Sequence, residues 1–372
     1  MKKLSISIFF GAFILILLGL YLVMSASSTY SDVKFDNQFY MFNSHLFKAF
    51  LAVGFLILFS FLPYEYYKSY SKSLMIMIIG ILFVTLIISA SVKGGRRWID
   101  LGFINFQPAE LAKLFLFIHL AALIESKGDD IKKYKDGFRY ALIWILITCI
   151  LILAQPNVSN ASILLLVAMA ILFIGGAKFK HISISLFLSG VAAGAVAMMF
   201  PHSRGRILTF INSMQNGGQI NDQVRQALLG LGSGGIWGVG FGHSSQRNLF
   251  LPEAYGDFIF AILGEERGFI GASVVLLIYL GLFICGVIIS KNAKDKFGQL
   301  LGMGISLSFI VYALVNTAVA SGLIPTTGLP LPFISYGGSS LILISISIGI
   351  LINIGLSNVK ETIPQVEETV QV

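Results

Sequence analysis

The sequence predicts an all-α, polytopic membrane protein with about ten transmembrane helices and a large outer-face loop. Three observations predict this class. Of the 372 residues, 56% are hydrophobic and only 12% are charged, whereas an ordinary soluble domain is about 25% charged. The apolar residues form runs that approach the roughly 20 residues a helix needs to cross a bilayer. Lysine and arginine gather in alternate connections between these runs, which is the positive-inside pattern of membrane proteins.

Ten apolar runs account for the predicted spans. The first follows Met1-Lys2-Lys3, but it is long and lacks a small-residue cleavage site, so we interpret it as a retained helix and not a signal peptide. The two cysteines, Cys149 and Cys285, lie within apolar runs and are too few for a disulfide scaffold. The ten runs are 4–25, 46–62, 74–91, 108–124, 140–154, 161–174, 182–200, 258–290, 300–322 and 335–356.

The basic residues orient the predicted helices. With the N-terminus in the cytoplasm, the cytoplasmic connections carry Lys68, Lys72, Lys127, Lys132, Lys133, Lys135, Arg139, Lys178, Lys180, Lys291, Lys294 and Lys296. An even number of spans returns the C-terminus to the cytoplasm. We therefore expect one membrane domain at 1–357, with an outer loop at 201–256, and a cytoplasmic tail at 358–372. Because the outer connections are the long ones, we expect function on the outer face.

Charged residues near predicted spans are costly and are functional candidates by default. Glu110 and Lys113 share a helix face at i, i+3 spacing, so they form either a structural ion pair or a cation held for an anionic ligand. Further along, Glu253 and Asp257 stand at the outer mouth of the eighth run. They are either helix N-terminal charges favoured by the helix dipole or reactive carboxylates.

The segment 264–268, Gly-Glu-Glu-Arg-Gly, interrupts the eighth run, which is much longer than one bilayer crossing. Either the span starts at Phe269 and the preceding segment lies at the interface, or the helix is broken around a polar cavity. A simpler interpretation is that the charges of Glu265, Glu266 and Arg267 neutralise one another.

The sequence argues against binding sites for a dinucleotide, zinc or nucleic acid. The segment 230–235 fits a dinucleotide-binding pattern in its glycines, but no strand precedes it and no βαβ unit surrounds it. Its glycines, with Gly238, Gly240 and Gly242, instead indicate a re-entrant or backbone-close segment. The five histidines show no zinc-ligand spacing. In a membrane chain, the net charge of +8 reflects topology and does not indicate nucleic acid.

Seven motifs, in order along the chain, resemble those of the SEDS family (shape, elongation, division and sporulation). The Pro325-Thr-Thr-Gly form looks more like the division member than the elongation member. The motifs are Gly95-Arg-Arg-Trp-Ile99, Gln107-Pro-Ala-Glu-Leu-Ala-Lys113, Gly232-Ser-Gly-Gly235, Leu251-Pro-Glu-Ala, Asp257-Phe-Ile-Phe-Ala261, Gly264-Glu-Glu and Pro325-Thr-Thr-Gly-Leu-Pro-Leu-Pro-Phe-Ile-Ser-Tyr-Gly-Gly-Ser-Ser340.

The resemblance implies a peptidoglycan glycosyltransferase that polymerises lipid II on the outer face of the cytoplasmic membrane. It implies that Asp257 is the residue tied to catalysis, and that the motif residues Gln107, Ser335 and Tyr336 contribute to substrate binding. It also implies a class B penicillin-binding protein as the transpeptidase partner, other divisome proteins, and a location at the division septum.

Two positions depart from the family pattern. The family usually has Thr before the catalytic Asp, whereas this chain has Tyr255-Gly256. The family also has Gln-Pro-Asp after the fifth span, whereas this chain has Asn157 in place of that Asp. At this second site the chain offers only a neutral oxygen ligand.

The implied reaction needs a base for the acceptor hydroxyl and positive charge against the departing lipid pyrophosphate. We expect Asp257 to be the base, with Glu253 as its competitor, and Lys113, Arg96 and Arg97 to contact the pyrophosphate. The sequence leaves open whether a divalent cation such as Mg²⁺ or Mn²⁺ takes part, with Glu110 or Glu253 as its ligand. Two rival functions also stay open, a lipid II flippase and a non-catalytic division scaffold.

Overall fold

A computed structural model describes residues 1–88, 97–100, 102, 105–216 and 221–357. Over these residues the chain forms twelve α-helices and one two-stranded antiparallel sheet, in which Ile99 pairs with Phe106. A 3-10 turn and a π turn connect α4 to α5. The elements are α1 Lys2–Phe35, α2 Tyr40–Phe61, α3 Glu65–Ile88, β1 Ile99–Asp100, β2 Asn105–Phe106, α4 Pro108–Lys127, α5 Arg139–Ala154, α6 Val158–Ile174, α7 Phe179–Met199, α8 Pro201–Asn216, α9 Asp222–Ser233, α10 Ile259–Lys291, α11 Lys296–Ala320 and α12 Ser339–Ser357.

All ten predicted runs coincide with helices, namely α1 to α7 and α10 to α12, which confirms the polytopic all-α class. Within the described residues, eight helical segments are long and apolar enough to cross a membrane. The other two predicted spans are α6, which has 17 residues, and α4, which carries charged residues in both its first and last turns. The chain is therefore an integral membrane protein.

The helices pack around one hydrophobic core. Helix α12 lies against α2 and α1, while α11 packs on α10, α4 and α6. At one end of the bundle, which we call the basic end, Lys68 pairs with Glu125 at 2.5 Å and Lys294 with Glu65 at 2.6 Å. The opposite end carries Asp257 and is called the Asp257 end.

Several helix boundaries differ from those of the predicted runs, and two of the differences bear on the site. Helix α1 continues past Ser25 to Phe35, since Ser25 donates to Glu266 and Thr29 donates to Asn248 Oδ1 at 3.2 Å. These bonds hold the polar extension of α1 against other segments. Helix α12 begins at Ser339 and not at the predicted residue 335, because the chain before it forms a turn.

The predicted outer loop at 201–256 is partly helical, since it contains α8 and α9. Helix α9 begins where the Asn221 side chain accepts a hydrogen bond from the Gln223 N–H at 2.9 Å, which is an ordinary N-cap. The hydrophobic runs that mark spanning helices are absent from α8 and α9, so the sequence pattern did not reveal these two helices.

The long helix α10 is broken at Gly268, where φ is 65°. The glycine-rich segment 235–240 lies against the break and bonds the backbone groups on both sides of it. The four bonds are Val239 N to Glu265 O at 2.9 Å, Gly240 N to Glu266 O at 3.1 Å, Phe269 N to Gly235 O at 2.9 Å and Ile270 N to Ile236 O at 3.2 Å. A break at membrane depth is tolerated where such bonds satisfy the backbone.

The helix is broken at Gly268, directly before the predicted start of the span at Phe269. The glycines serve close backbone approach, as their pattern indicated. A Cβ on Gly268 would lie 2.4 Å from both Gly238 N and Ile236 O. Among the described residues Glu265 and Glu266 form no close ion pair with Arg267, and their carboxylates accept hydrogen bonds from the segment 242–246.

Candidate active site

A large cleft of about 1490 Å³ opens at the Asp257 end of the helix bundle. It brings together residues from α1, α2, α3, α6, α8, α9 and α12 and from the segments before α4, α10 and α12. Five residues singled out from the sequence line it: Arg97, Gln107, Glu253, Asp257 and Tyr336. Five of the seven sequence motifs, which are distributed over more than two hundred residues of chain, therefore contribute residues to this one cleft.

The backbone before α10 is held at three successive carbonyls. The Tyr255 oxygen accepts from Tyr336 N at 2.8 Å, the Gly256 oxygen from the Ser335 hydroxyl at 2.7 Å, and the Asp257 oxygen from Asn316 Nδ2 at 2.8 Å. Two different elements, α11 and the loop before α12, supply these donors. The position of the Asp257 carboxylate is thus determined by long-range contacts, which suits a group that must meet a substrate at a defined distance.

Arg206 on α8 is the cation beside Asp257. A Cβ placed on Gly328 would lie 3.4 Å from Asp257 Oδ2 and 3.7 Å from Arg206 Nη1, so both groups flank this glycine. Arg206 Nη1 also donates to the Thr326 oxygen at 3.2 Å. Burial lowers the pKa of Arg206, and the negative charge of Asp257 opposes that shift. The site therefore holds a carboxylate and a guanidinium next to each other.

Arg97 forms a second cationic wall of the cleft. Its Nε donates to the Gln155 oxygen at 3.0 Å, and its Nη2 donates to the Pro156 oxygen. Burial lowers the pKa of Arg97, and the nearby charge of Arg206 lowers it further. The turn between α5 and α6 therefore holds Arg97, one of the predicted phosphate-binding residues. This turn also contains Asn157, the residue that differs from the family pattern.

Lys113 and Glu110 lie outside this cleft, in a small cavity behind the loop before α12. Lys113 Nζ is 2.8 Å from Glu110 Oε2, and the two side chains are only 12% and 6% exposed. Lys113 Nζ also lies 3.9 Å from the centre of the Tyr312 ring. The structure thus forms the ion pair that the i, i+3 spacing predicted.

The remaining predicted residues take different places. The Ser335 hydroxyl is buried, where it accepts from Leu331 N at 2.8 Å and donates to Gly256. Gln107 precedes α4, and its N–H donates to the Ser339 hydroxyl at 3.0 Å. Glu253 lies in a turn with φ of 59°. Arg96 lies outside the described residues.

Three site residues were not singled out from the sequence: Arg206, Asn316 and Lys48. Lys48 carried a readable signal, because it is the one charged residue in the predicted span 46–62, and intramembrane charge is a functional indicator. Asn316 carried a weaker signal as a polar residue within a predicted span. Arg206 carried none, since no spacing rule links it to Asp257.

No group of three or more His, Cys, Asp or Glu side chains in the described residues is arranged to hold a metal ion. The carboxylates proposed as ligands differ in their surroundings. Glu110 is paired with a lysine, which competes with any cation for that carboxylate. Glu253 lines the same cleft as Asp257, and Mg²⁺ is commonly held by one or two carboxylates together with substrate phosphates. Glu253 is the better fit.

Comparison with known proteins places this fold and site in a family. Residues 5–360 match the FtsW, RodA and SpoVE group, described as cell cycle proteins. The probable peptidoglycan glycosyltransferase FtsW of Tolumonas auensis is 35% identical over 350 residues, covering 93% of this chain and 91% of that protein. The stage V sporulation protein E of Bacillus subtilis is 34% identical over 347 residues, covering 92% and 94%.

Solved structures agree on the fold. A chain from a peptidoglycan synthase complex that coordinates polymerization and crosslinking superposes with a TM-score of 0.76 at 23% identity, covering 94% of this chain and 97% of that one. At this identity the likeness concerns the fold alone. Together with the sequence match over nearly the whole chain, it shows that this protein belongs to the FtsW, RodA and SpoVE family of cell cycle proteins.

Proposed function

We propose that the chain is a peptidoglycan glycosyltransferase that polymerises lipid II during cell division, with Asp257 as the catalytic base. The observation that carries this proposal is the Asp257 carboxylate at the wall of a large cleft, beside Arg206 and held by three backbone contacts. The relative from Tolumonas auensis, which is 35% identical to this chain, bears the name probable peptidoglycan glycosyltransferase FtsW.

The mechanism assigns a role to each charge. Asp257 removes the proton from the acceptor sugar hydroxyl as that oxygen attacks the anomeric carbon of the donor. The bond between that carbon and the lipid pyrophosphate breaks on the opposite side, so the configuration inverts. Arg206 and Arg97 stabilise the negative charge that develops on the departing pyrophosphate. Lys113 and Arg96 stay predicted contacts for the same group.

The lipid tail of the substrate has an apolar surface beside the cleft. Val84 and Ile88 of α3 line the cleft and are 44% and 76% exposed. A prenyl chain lying along this face stays in the hydrocarbon while the sugars react above it, which supports a lateral entry between helices. Glu253 is the residue we propose for a divalent cation such as Mg²⁺ or Mn²⁺, whose charge would neutralise phosphate oxygens.

The orientation and partners are also proposals. The basic end collects the lysines of the predicted cytoplasmic connections, so we place both termini in the cytoplasm, the Asp257 end outside and the protein at the division septum. A class B penicillin-binding protein would supply the transpeptidase, alongside other divisome proteins. Single cysteines at Asp130 and Asp222 in a Cys285→Ser background should react oppositely with an impermeant thiol reagent in intact cells. Labelling at Asp130 alone would reverse the orientation.

The deciding experiment compares Asp257→Asn with Glu253→Gln in a lipid II polymerisation assay on purified protein, with and without the transpeptidase partner. We expect Asp257→Asn to lose about 10² to 10⁴ in rate while it still binds lipid II. Normal polymerisation by Asp257→Asn together with an inactive Glu253→Gln would transfer the base role to Glu253.

A transport assay in vesicles and a complementation test of cell division, added to the polymerisation assay, separate the rival functions. A flippase moves lipid II across vesicles without forming glycan strands, so transport without polymerisation by the wild-type chain would favour that function. A scaffold needs neither carboxylate. Full complementation of cell division by both single variants would favour the scaffold and refute the enzyme.

A further inference from the structure

A buried lysine on α2 has no part in the mechanism described so far. Lys48 is 8% exposed and lines the large cleft. Within the part of the chain that the structure describes, no carboxylate lies within 4.0 Å of its Nζ, in contrast to the paired Lys113. A buried cation without a counter-charge is costly, and within a spanning helix it is a functional candidate.

The neighbours of Lys48 are neutral. Its Nζ donates to the Tyr336 hydroxyl at 3.3 Å and lies 4.6 Å from the centre of the Tyr336 ring. His45, almost one turn earlier, is buried against the same ring at 5.5 Å between centres, and its Nδ1 has no hydrogen-bond partner. Cation–π contact offsets only part of the desolvation cost. The arrangement is therefore incomplete without an anion.

Lys48 is linked to the active-site backbone through Tyr336, and Arg206 is linked to it through other residues. Tyr336 donates its N–H to the Tyr255 oxygen, and the rings of Tyr336 and Tyr255 are in edge contact at 5.8 Å. Arg206 instead reaches the site through Thr326 and Gly328, next to Asp257. Besides Arg206 at Asp257 and Arg97, the cleft thus has a further cation at Tyr336.

The chemistry of the proposed reaction requires two anion-binding places. Both reactants are lipid-linked, so each brings a pyrophosphate, and only the donor releases its own. We propose that Lys48, with Tyr336, binds the pyrophosphate of the second lipid-linked saccharide, the acceptor, while Arg206 and Arg97 face the departing pyrophosphate of the donor. This inference rests on the proposed function and names the acceptor subsite within it.

The position of Lys48 favours a pyrophosphate over a carboxylate of the peptide attached to the sugar. Lys48 lies within the apolar helix α2, which is long enough to cross a membrane. A pyrophosphate is joined directly to the prenyl chain, whereas the peptide extends into water with the sugars.

The test counts bound lipids on the full-length protein by native mass spectrometry with undecaprenyl pyrophosphate, which has neither sugar nor peptide. We expect two bound lipids for the wild type and one for Lys48→Met, with affinity at the lost site about 10- to 100-fold weaker, as for a hydrogen bond to a charged group. Lys48→Arg should restore the second lipid. Undecaprenol, which lacks phosphate, should bind at neither site.

Lys34→Met is the matched control. Lys34 also lines the cleft and bonds a tyrosine hydroxyl, that of Tyr30 at 3.0 Å, but its side chain is exposed. An exposed charge contributes little, so this variant should keep both lipids and change affinity less than about fivefold. Thermal stability without lipid should not fall in Lys48→Met, since a buried charge is removed. A large loss would assign Lys48 a structural role and overturn the subsite.

Kinetics provide the second readout. Lys48→Met should raise the KM for lipid II about 10- to 100-fold with kcat largely retained, because Asp257 and Arg206 are intact. Two bound lipids in Lys48→Met, or equal occupation of the second site by phosphatidylglycerol, would overturn the proposal. A different outcome separates the two proposals. If the wild type forms no glycan, but it binds two lipids and Lys48→Met binds one, the subsite stands and the polymerase function is refuted.

Discussion

Asn316 Nδ2 donates hydrogen bonds to two main-chain oxygens, those of Asp257 and Leu329, each at 2.8 Å. One buried amide on α11 thereby joins the segment before α10 to the loop before α12. These two bonds use both N–H donors of the amide. The relationship makes Asn316 a positioning residue for Asp257.

Asn316→Ala should therefore lower kcat by about 100-fold, the effect of displacing a catalytic group by about 1 Å. It should also lower the free energy of unfolding by about 1–3 kcal/mol for each buried oxygen left without a donor. Asn353→Ala is the control, because the buried Asn353 amide also makes two main-chain bonds, donating to Ser60 O and accepting from Tyr64 N at the basic end. Equal losses of activity per folded protein in the two variants would contradict a positioning role.

Two glycines near Asp257 should respond differently to substitution. A Cβ on Gly328 would stand 3.4 Å from Asp257 Oδ2, and φ at Gly328 is 73°, so Gly328→Ala should cost about 1–2 kcal/mol of strain and lower the polymerisation rate. At Gly256 the nearest atoms to an added Cβ are 3.6 Å away. Gly256→Thr, which restores the residue usual in relatives, should stay active. A folded but inactive Gly256→Thr would show that this chain positions its carboxylate differently.

The Glu110–Lys113 pair allows a separation of stability from ligand binding. Lys113→Met leaves a buried carboxylate without its cation, which typically costs about 3–5 kcal/mol, so the midpoint of thermal unfolding should fall. Adding Glu110→Gln should recover stability but not polymerisation if Lys113 contacts pyrophosphate. Lys113→Arg should keep some activity. Full activity in the double variant would refute the ligand role and leave only the structural pair.

The break in α10 should be intolerant of any side chain at Gly268. Its Cβ would meet backbone atoms at 2.4 Å, and those atoms belong to the segment that bonds the break, so Gly268→Ala should lower the thermal unfolding midpoint strongly. Gly281 in the same helix has no heavy atom within 4 Å of an added Cβ. Gly281→Ala should be neutral or slightly stabilising. Similar midpoints for the two variants would contradict the packing argument.

The sequence alone determined the features that depend on local chemistry. Partition of a segment into lipid depends on its own side chains, so each of the ten apolar runs predicted a helix that the structure contains. A spacing of three residues places two side chains on one helix face, so the Glu110–Lys113 pair was also predictable. The long motifs carried enough family-specific residues to point to Asp257 and its neighbours before any coordinates.

Only the tertiary structure decided which distant residues meet. Arg206 reaches Asp257, Asn316 holds its backbone, and Lys48 faces the same cleft because helices far apart in the chain pack side by side. The spacing of apolar residues along the chain does not predict such contacts. The break at Gly268 belongs to this class as well, since the glycine was readable but the 235–240 backbone that bonds it was not. The sequence alone shows which residues carry a charge, whereas which of them meet in the cleft follows from packing.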